Sequence, residues 1–215
     1  MDSESTERMR HMLRHRLLNI ASGIKAATMF LESQDENGLN SHDREYFPLI
    51  RNECDGICLI VEQMDQMFGP VSDLSAILLQ DALVAGMCAV REELPTAEVV
   101  FETEHGVGMQ RVCRVVAVTT LREAVKNGWQ ASSQTVFVTA CAQEKNIQLR
   151  IIDQGAGFSD EGKMLAFEPF YSTKTRSLGL GLSIARKQVV ELGGSVSLGR
   201  EARGNYVQFN LPFLA

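Results

Sequence analysis

From about Ser5 to Glu32, apolar residues recur at steps of three and four, through Met9, Leu13, Leu17, Ile20, Ile24, Ala27 and Leu31. That spacing predicts an amphipathic helix carrying one continuous seam. The polar, turn-rich stretch SQDENGLNSHD follows, and Ser41 or Asp43 is placed to cap a second helix bearing Tyr46, Leu49, Ile50, Ile57, Ile60, Val61, Met64 and Met67. Gly69-Pro70 stops it. Two long helices joined by a short loop make an antiparallel hairpin, whose apolar stripe the hairpin alone cannot bury. A homodimeric four-helix bundle is the economical solution.

Beyond Pro70 the pattern becomes mixed. A helix is predicted from about Leu74 to Glu93, a strand at AEVVFETE, and a helix from about Met109 to Ser132. TVFVTACA and IQLRIID, separated by the turn QEKN, read as a β-hairpin. A glycine-rich loop region leads to a helix from about Gly181 to Leu192, ended by Gly193-Gly194, and then to the strands SVSLG and YVQFNLP. The expected fold class is α+β. Residues 1–70 form a helical hairpin, and residues 71–215 form an α/β sandwich with helices on one face of a mixed sheet.

Composition and charge narrow the function classes. The chain has 215 residues, 45% apolar and 22% charged, which fits one large or two small globular domains. Its 21 basic and 27 acidic residues leave a net charge of −6, which argues against a nucleic-acid surface spread over the molecule. No apolar run approaches the roughly 20 residues of a membrane helix. The N-terminus MDSESTERMR lacks a signal-peptide core, so the expected location is the cytoplasm, without membrane insertion. Five cysteines, Cys54, Cys58, Cys88, Cys113 and Cys141, suit small side chains in a reducing compartment. Cys54 and Cys58 lie four apart on a helix, but no second pair at zinc spacing accompanies them.

Four segments of the second domain carry chemistry: LREAVKNGWQAS, IIDQGAGF, FEPFYSTK and SLGLGLSIA. Glu123 and Asn127, four apart, share one helix face, and Asn127 offers a neutral oxygen of the kind Mg²⁺ accepts. Asp153 ends an apolar strand, and Gly155 and Gly157 behind it let backbone approach a ligand or adopt positive φ. Taken alone, an Asp followed by two glycines is also an ordinary turn. Phe167 and Phe170 are spaced to anchor a loop, with Ser172, Thr173 and Lys174 supplying donors behind them. Gly179 and Gly181 immediately precede a helix, whose free N–H groups and dipole favour an anion.

In this order the segments resemble the N, G1, F and G2 boxes of the histidine-kinase ATP-binding domain, within the family shared with gyrase, Hsp90 and MutL. The resemblance runs from about Leu74 to the end. It implies ATP and Mg²⁺ as cofactors and Asn127 as the metal-binding residue. It makes Glu123 the residue that orients or deprotonates the attacking group, and gives Asp153 the reading of the adenine N6 amine. Gly155, Gly157, Phe170, Thr173, Lys174, Gly179, Leu180, Gly181 and Leu182 complete the implied nucleotide site. The short lid with PFYSTK looks like the nitrogen-regulation and oxygen-sensing branch of the family. Three departures stand out: Gly128 where Ala is usual, Gln130 where Lys or Arg often helps hold phosphate, and Ser177-Leu178 ahead of Gly179. Weaker phosphate affinity is the expected result.

The first helix supplies a phosphoacceptor in LRHRLLNIASGI. His15 lies two residues from both Leu13 and Leu17, about 200° around the helix, and so off the seam, with Asn19 one turn further on the same face. Neutral imidazole carries a free lone pair near pH 7 and is a competent acceptor. The segment resembles an H box in position, and its His-Arg-x-x-Asn form is similar to that of the HWE and related kinases. His11 is the competing acceptor. The resulting expectation is a protein histidine kinase that phosphorylates His15 from Mg-ATP. It then passes the phosphoryl group to an aspartate on a response regulator receiver domain. The resemblance also implies a role for Asn19 in positioning water to dephosphorylate that regulator. The alternative is a histidine phosphotransferase or scaffold whose ATP-like domain is an interaction module only. With no length left for a sensory domain, the input is expected from an upstream sensor protein, from the bundle itself or from a larger parent protein.

Overall fold

The computed structural model describes residues 3–33, 46–174 and 177–214. They divide into two compact units, Met1–Phe68 and Gly69–Ala215. No helix among the described residues is long and apolar enough to cross a membrane.

The first unit is a helix pair, α1 (Ser3–Ser33) and α2 (Tyr46–Phe68). Pro48 fits the first turn of α2, where an N–H has no intrahelical partner to lose. The candidate caps Ser41 and Asp43 lie outside the described residues, as do the side chains of Met9, His11 and Leu13. Inside the pair, Ala21 and Thr28 of α1 meet Phe47, Cys54 and Val61 of α2, all buried at steps of seven. The buried Thr28 hydroxyl donates to the Lys25 carbonyl at 2.8 Å. Ion pairs Lys25–Asp55 (2.7 Å), Arg51–Glu32 and Arg14–Asp65 cross between the helices and fix their register. The interior therefore uses small residues beside the predicted seam. Leu17, Ile20, Ile24 and Leu31 of the seam itself remain 40–53% exposed, with Leu49, Leu59 and Phe68 of α2 also exposed.

The second unit opens with a short strand, β1 (Ala76–Leu78), followed by α3 (Leu79–Glu93) and β2 (Val99–Thr103). A 3-10 turn at Val107–Met109 leads to β3 (Arg111–Cys113) and α4 (Arg114–Ser132). The hairpin β4 (Val136–Gln143) and β5 (Asn146–Asp153) comes next, then α5 (Asp160–Leu165), α6 (Gly181–Glu191), β6 (Ser195–Glu201) and β7 (Gly204–Pro212). The main sheet has the order β2-β4-β5-β7-β6, with β2 and β4 parallel and the other pairs antiparallel. Its inner face alternates as a half-buried sheet must. Val136, Val138 and Ala140, Ile147, Leu149 and Ile151, and Val207, Phe209 and Leu211 pack against Leu79, Leu83, Leu121, Val125, Ala185 and Val189 of the helices. On the other face Arg150 stacks over Tyr206 at 4.7 Å and Arg203 over Phe137 at 4.6 Å.

Two predicted helices start later than the sequence suggests. The segments expected at Leu74 and Met109 each begin with a strand, because Ala76–Leu78 and Arg111–Cys113 pair antiparallel, Ala76 opposite Cys113. Neither helix has a side-chain cap at its true start, Leu78 and Cys113 standing at the N-cap positions, so no polar residue marks the boundary. The hairpin strands also run further than read, leaving only Glu144-Lys145 between them. Helix α5, read as loop, is too short to show periodicity; its signal is Ser159, whose hydroxyl accepts from the Gly162 N–H at 2.9 Å. Ser159→Ala is expected to cost about 1 kcal/mol by losing that cap, as checked by urea unfolding followed by circular dichroism.

Candidate functional site

Helix α4 presents Glu123, Asn127 and Gln130 at steps of four and three, hence along one face. Glu123 is buried, and its Oε1 receives the Arg122 guanidinium at 2.7 and 2.8 Å. Its other oxygen occupies the space where a Cβ at Gly181 would stand, so the missing side chain at Gly181 serves the seating of α6 on α4. One carboxylate oxygen is thus held by Arg122, and the other lies against Gly181.

Asn127 is half-buried, and its Oδ1 accepts a hydrogen bond from Lys174 Nζ at 3.0 Å. The same ammonium donates to Gln130 Oε1 at 2.8 Å. Ser172 shapes the backbone that delivers it, its Oγ accepting from Lys174 N–H at 3.0 Å. Burial pulls the Lys174 pKa below the ordinary lysine value, the Lys126 charge pulls it further, and Asp153 opposes both.

Asp153 ends β5 directly opposite Asn205 of β7 and is 7% exposed. Burial raises its pKa above the ordinary carboxylate value, against the Gly155 N–H, the Asn205 carboxamide and the Lys174 charge, which favour the ionised form. Oδ1 accepts from Gly155 N–H at 2.8 Å. Asn205 Nδ2 donates to the Gly155 carbonyl at 2.7 Å and leaves no room for a Cβ at Gly157, whose φ is +83°. Asn205 therefore shapes the turn behind Asp153. Sequence reasoning passed over it, since an Asn beside a Gly at a strand start reads as ordinary turn chemistry; only the strand register puts it opposite Asp153.

The segment between Phe167 and α6 is closed at its base. Phe170 N–H donates to the Gly179 carbonyl at 3.1 Å, and Gly179, with φ +68°, packs on the Tyr171 backbone too closely for any Cβ. The two phenylalanines differ. Phe167 packs on the core beneath Arg186, whereas Phe170 is 59% exposed with φ +66°, so the expectation of two hydrophobic anchors is corrected to one. Thr173 is exposed. The Gly179 N–H donates to Ser177 Oγ at 3.4 Å, so one amide that the resemblance assigns to phosphate has an internal partner. Leu180 is fully buried and Leu182 packs on the core, which leaves their backbone, not their side chains, for a ligand.

In the helical unit, His15 and Asn19 are both exposed on α1. The described residues hold no cluster of three or more His, Cys, Asp or Glu placed for a metal, and Cys54 is buried in the helix pair. The donor set in the second unit suits a hard cation beside phosphate: a neutral amide oxygen at Asn127, before which an ammonium already stands.

Residues 114–215 match the family described as Histidine kinase-, DNA gyrase B-, and HSP90-like ATPase. Among curated relatives, the sensor protein TdiS of Thauera aromatica is 30% identical over 110 residues, 47% of this chain and 20% of that one. Sporulation kinase D of Bacillus subtilis is 24% identical over 208 residues, 94% of this chain and 40% of that one. This chain thus spans between a fifth and two fifths of their length. Among solved structures, full-length ShkA in complex with AMPPNP covers all of this chain at a TM-score of 0.77 and 21% identity, this chain matching 47% of it. That likeness shows the fold: a helical N-terminal part and a mixed α/β domain.

Proposed function

We propose, for a chain that has the build of a sensor histidine kinase catalytic core and whose residues 114–215 form its ATPase domain, that it transfers the γ-phosphoryl group of Mg-ATP to His15. The group then passes to an aspartate of a response regulator receiver domain. The observation that carries the ATP part is the meeting of Asn127, Lys174 and Gln130 on the helix face beside Asp153. The observation supporting the acceptor is an exposed His15 on a helix whose apolar side the hairpin leaves uncovered. That same uncovered side supports a homodimer through α1 and α2.

Asp153 accepts the adenine exocyclic amine through the oxygen that Gly155 leaves available. Asn127 Oδ1 would hold Mg²⁺, which supplies neutralisation of phosphate charge. Lys174 and the backbone at Leu180 and Gly181 place further positive charge and donors at the phosphates, the main requirement of a loose phosphoryl-transfer transition state. Glu123, one oxygen of which receives Arg122, orients or deprotonates the attacking group through the other. Asn19, one turn from His15, positions water for dephosphorylating the regulator.

Incubation of the chain with γ-labelled ATP and Mg²⁺ tests the reading. An acid-labile, base-stable label supports it; no label, with no nucleotide bound, overturns it. Asp153→Asn tests the adenine contact. A hydrogen bond to a charged group contributes about 1.5–3 kcal/mol, so binding of an ATP analogue is expected to weaken roughly 10- to 100-fold by calorimetry. The variant is also expected to melt higher at pH 7. A carboxylate whose folded pKa is raised weakens the fold once ionised, and that penalty grows as pH rises through the folded value. The stability gain therefore vanishes in acid, below the ordinary Asp range, where the native side chain is itself protonated.

A further inference from the structure

Lys174 presents its ammonium to two neutral carboxamide oxygens, Asn127 Oδ1 at 3.0 Å and Gln130 Oε1 at 2.8 Å. Among the described residues no carboxylate lies within ion-pair distance of it. A cation drawn partly out of water with no counter-ion in contact is a standing demand for an anion. The two oxygens holding it are not equivalent. On the reading of this site as one for Mg-ATP, on which the inference rests, Asn127 Oδ1 is the protein's ligand to the metal. An oxygen bound to a divalent cation no longer serves an ammonium, because the two positive charges repel at that separation.

We infer that Gln130 is a positioning residue: it keeps Lys174 at the triphosphate once Asn127 is given over to the metal. The polar, uncharged side chain at 130 is thus the holder of a cation delivered from another segment. Gln130 is exposed on α4, so its removal takes away the hydrogen bond without opening the core.

The test is calorimetric titration of the full chain with a non-hydrolysable ATP analogue, in Mg²⁺ and separately in EDTA. The proteins are wild type, Gln130→Leu, Lys174→Met and the double variant. In Mg²⁺, Gln130→Leu is expected to weaken binding roughly tenfold, the size of one charge-assisted hydrogen bond. In EDTA, where Asn127 still holds Lys174, the loss is expected to be about twofold or less. In the Lys174→Met background the second substitution is expected to add nothing, the signature of two residues acting as one unit. A merely structural role would not distinguish Mg²⁺ from EDTA. Equal losses in the two conditions, or additive losses in the double variant, overturn the inference and leave the ATP site standing. Failure of the wild-type chain to bind nucleotide in either condition overturns both.

Discussion

A His15→Ala chain is expected to bind the ATP analogue with wild-type affinity and to take up no acid-labile phosphoryl group. Every residue assigned to nucleotide lies in the unit Gly69–Ala215, whereas His15 lies in the helix pair Met1–Phe68. The side chain is exposed on α1, so alanine there removes the acceptor nitrogen and improves helix propensity without touching an interior. Transfer forms one bond, from an imidazole nitrogen to the γ-phosphorus, and breaks one, to the ADP oxygen; a methyl group can do neither. The expected effect is complete loss, read by autoradiography after acid and base treatment. His11→Ala is expected to retain the label. Undiminished labelling of His15→Ala sinks the assignment, and transfer of the label to dependence on His11 moves the acceptor one turn toward the N-terminus.

Gly204→Ala is expected to produce a large stability loss in the second unit. Gly204 closes the turn between β6 and β7 at φ +152°, where L side chains rarely sit. A Cβ there would fall inside the van der Waals boundary of the Asp153 carbonyl oxygen, which is backbone and cannot swing aside. Backbone strain of about 1–3 kcal/mol and overpacking of about 1–3 kcal/mol together give a loss of roughly 2–6 kcal/mol. At about 2–4 °C per kcal/mol for a domain of this size, the melting temperature is expected to fall by roughly 10 °C. Differential scanning calorimetry checks it. Because the collision is with Asp153, nucleotide affinity is expected to fall with stability, unlike in Asp153→Asn, where the two move in opposite directions. A variant that melts as wild type does would show that the turn relaxes without strain.

What could be read from the sequence followed from how local each signal is. The antiparallel strands β4, β5 and β7 announce themselves by period two, and their burial alternates as read. Helix α6 is bounded by glycines whose conformations the structure requires, Gly179 at φ +68° and Gly193 at φ +82°. The paired starts of α3 and α4 were illegible because three-residue strands have no period and neither helix carries a polar cap. In the site, Asn127, Asp153 and Lys174 were named from spacing and resemblance, and the structure brings Lys174 to hydrogen-bond distance of Asn127 and within the field of Asp153. Asn205 and the grip of Gln130 on Lys174 were not legible, since each depends on residues brought together from distant parts of the chain. The exposure of the seam is what a hairpin unable to bury its own stripe implies, whereas the interior was only partly legible. Ala21 and Thr28 are weak hydrophobic signals beside Leu17, Ile20 and Ile24, yet on α1 these small side chains are the ones that face Phe47, Cys54 and Val61 of α2.

The seating of Glu123 against Gly181 ties two distant parts of the gene together. A mutation giving position 181 a side chain displaces the Glu123 carboxylate from its seat, and a shorter residue at 123 makes room for one. Drift at either codon is therefore conditional on the other. Substitutions at the two positions are expected to favour one another across lineages.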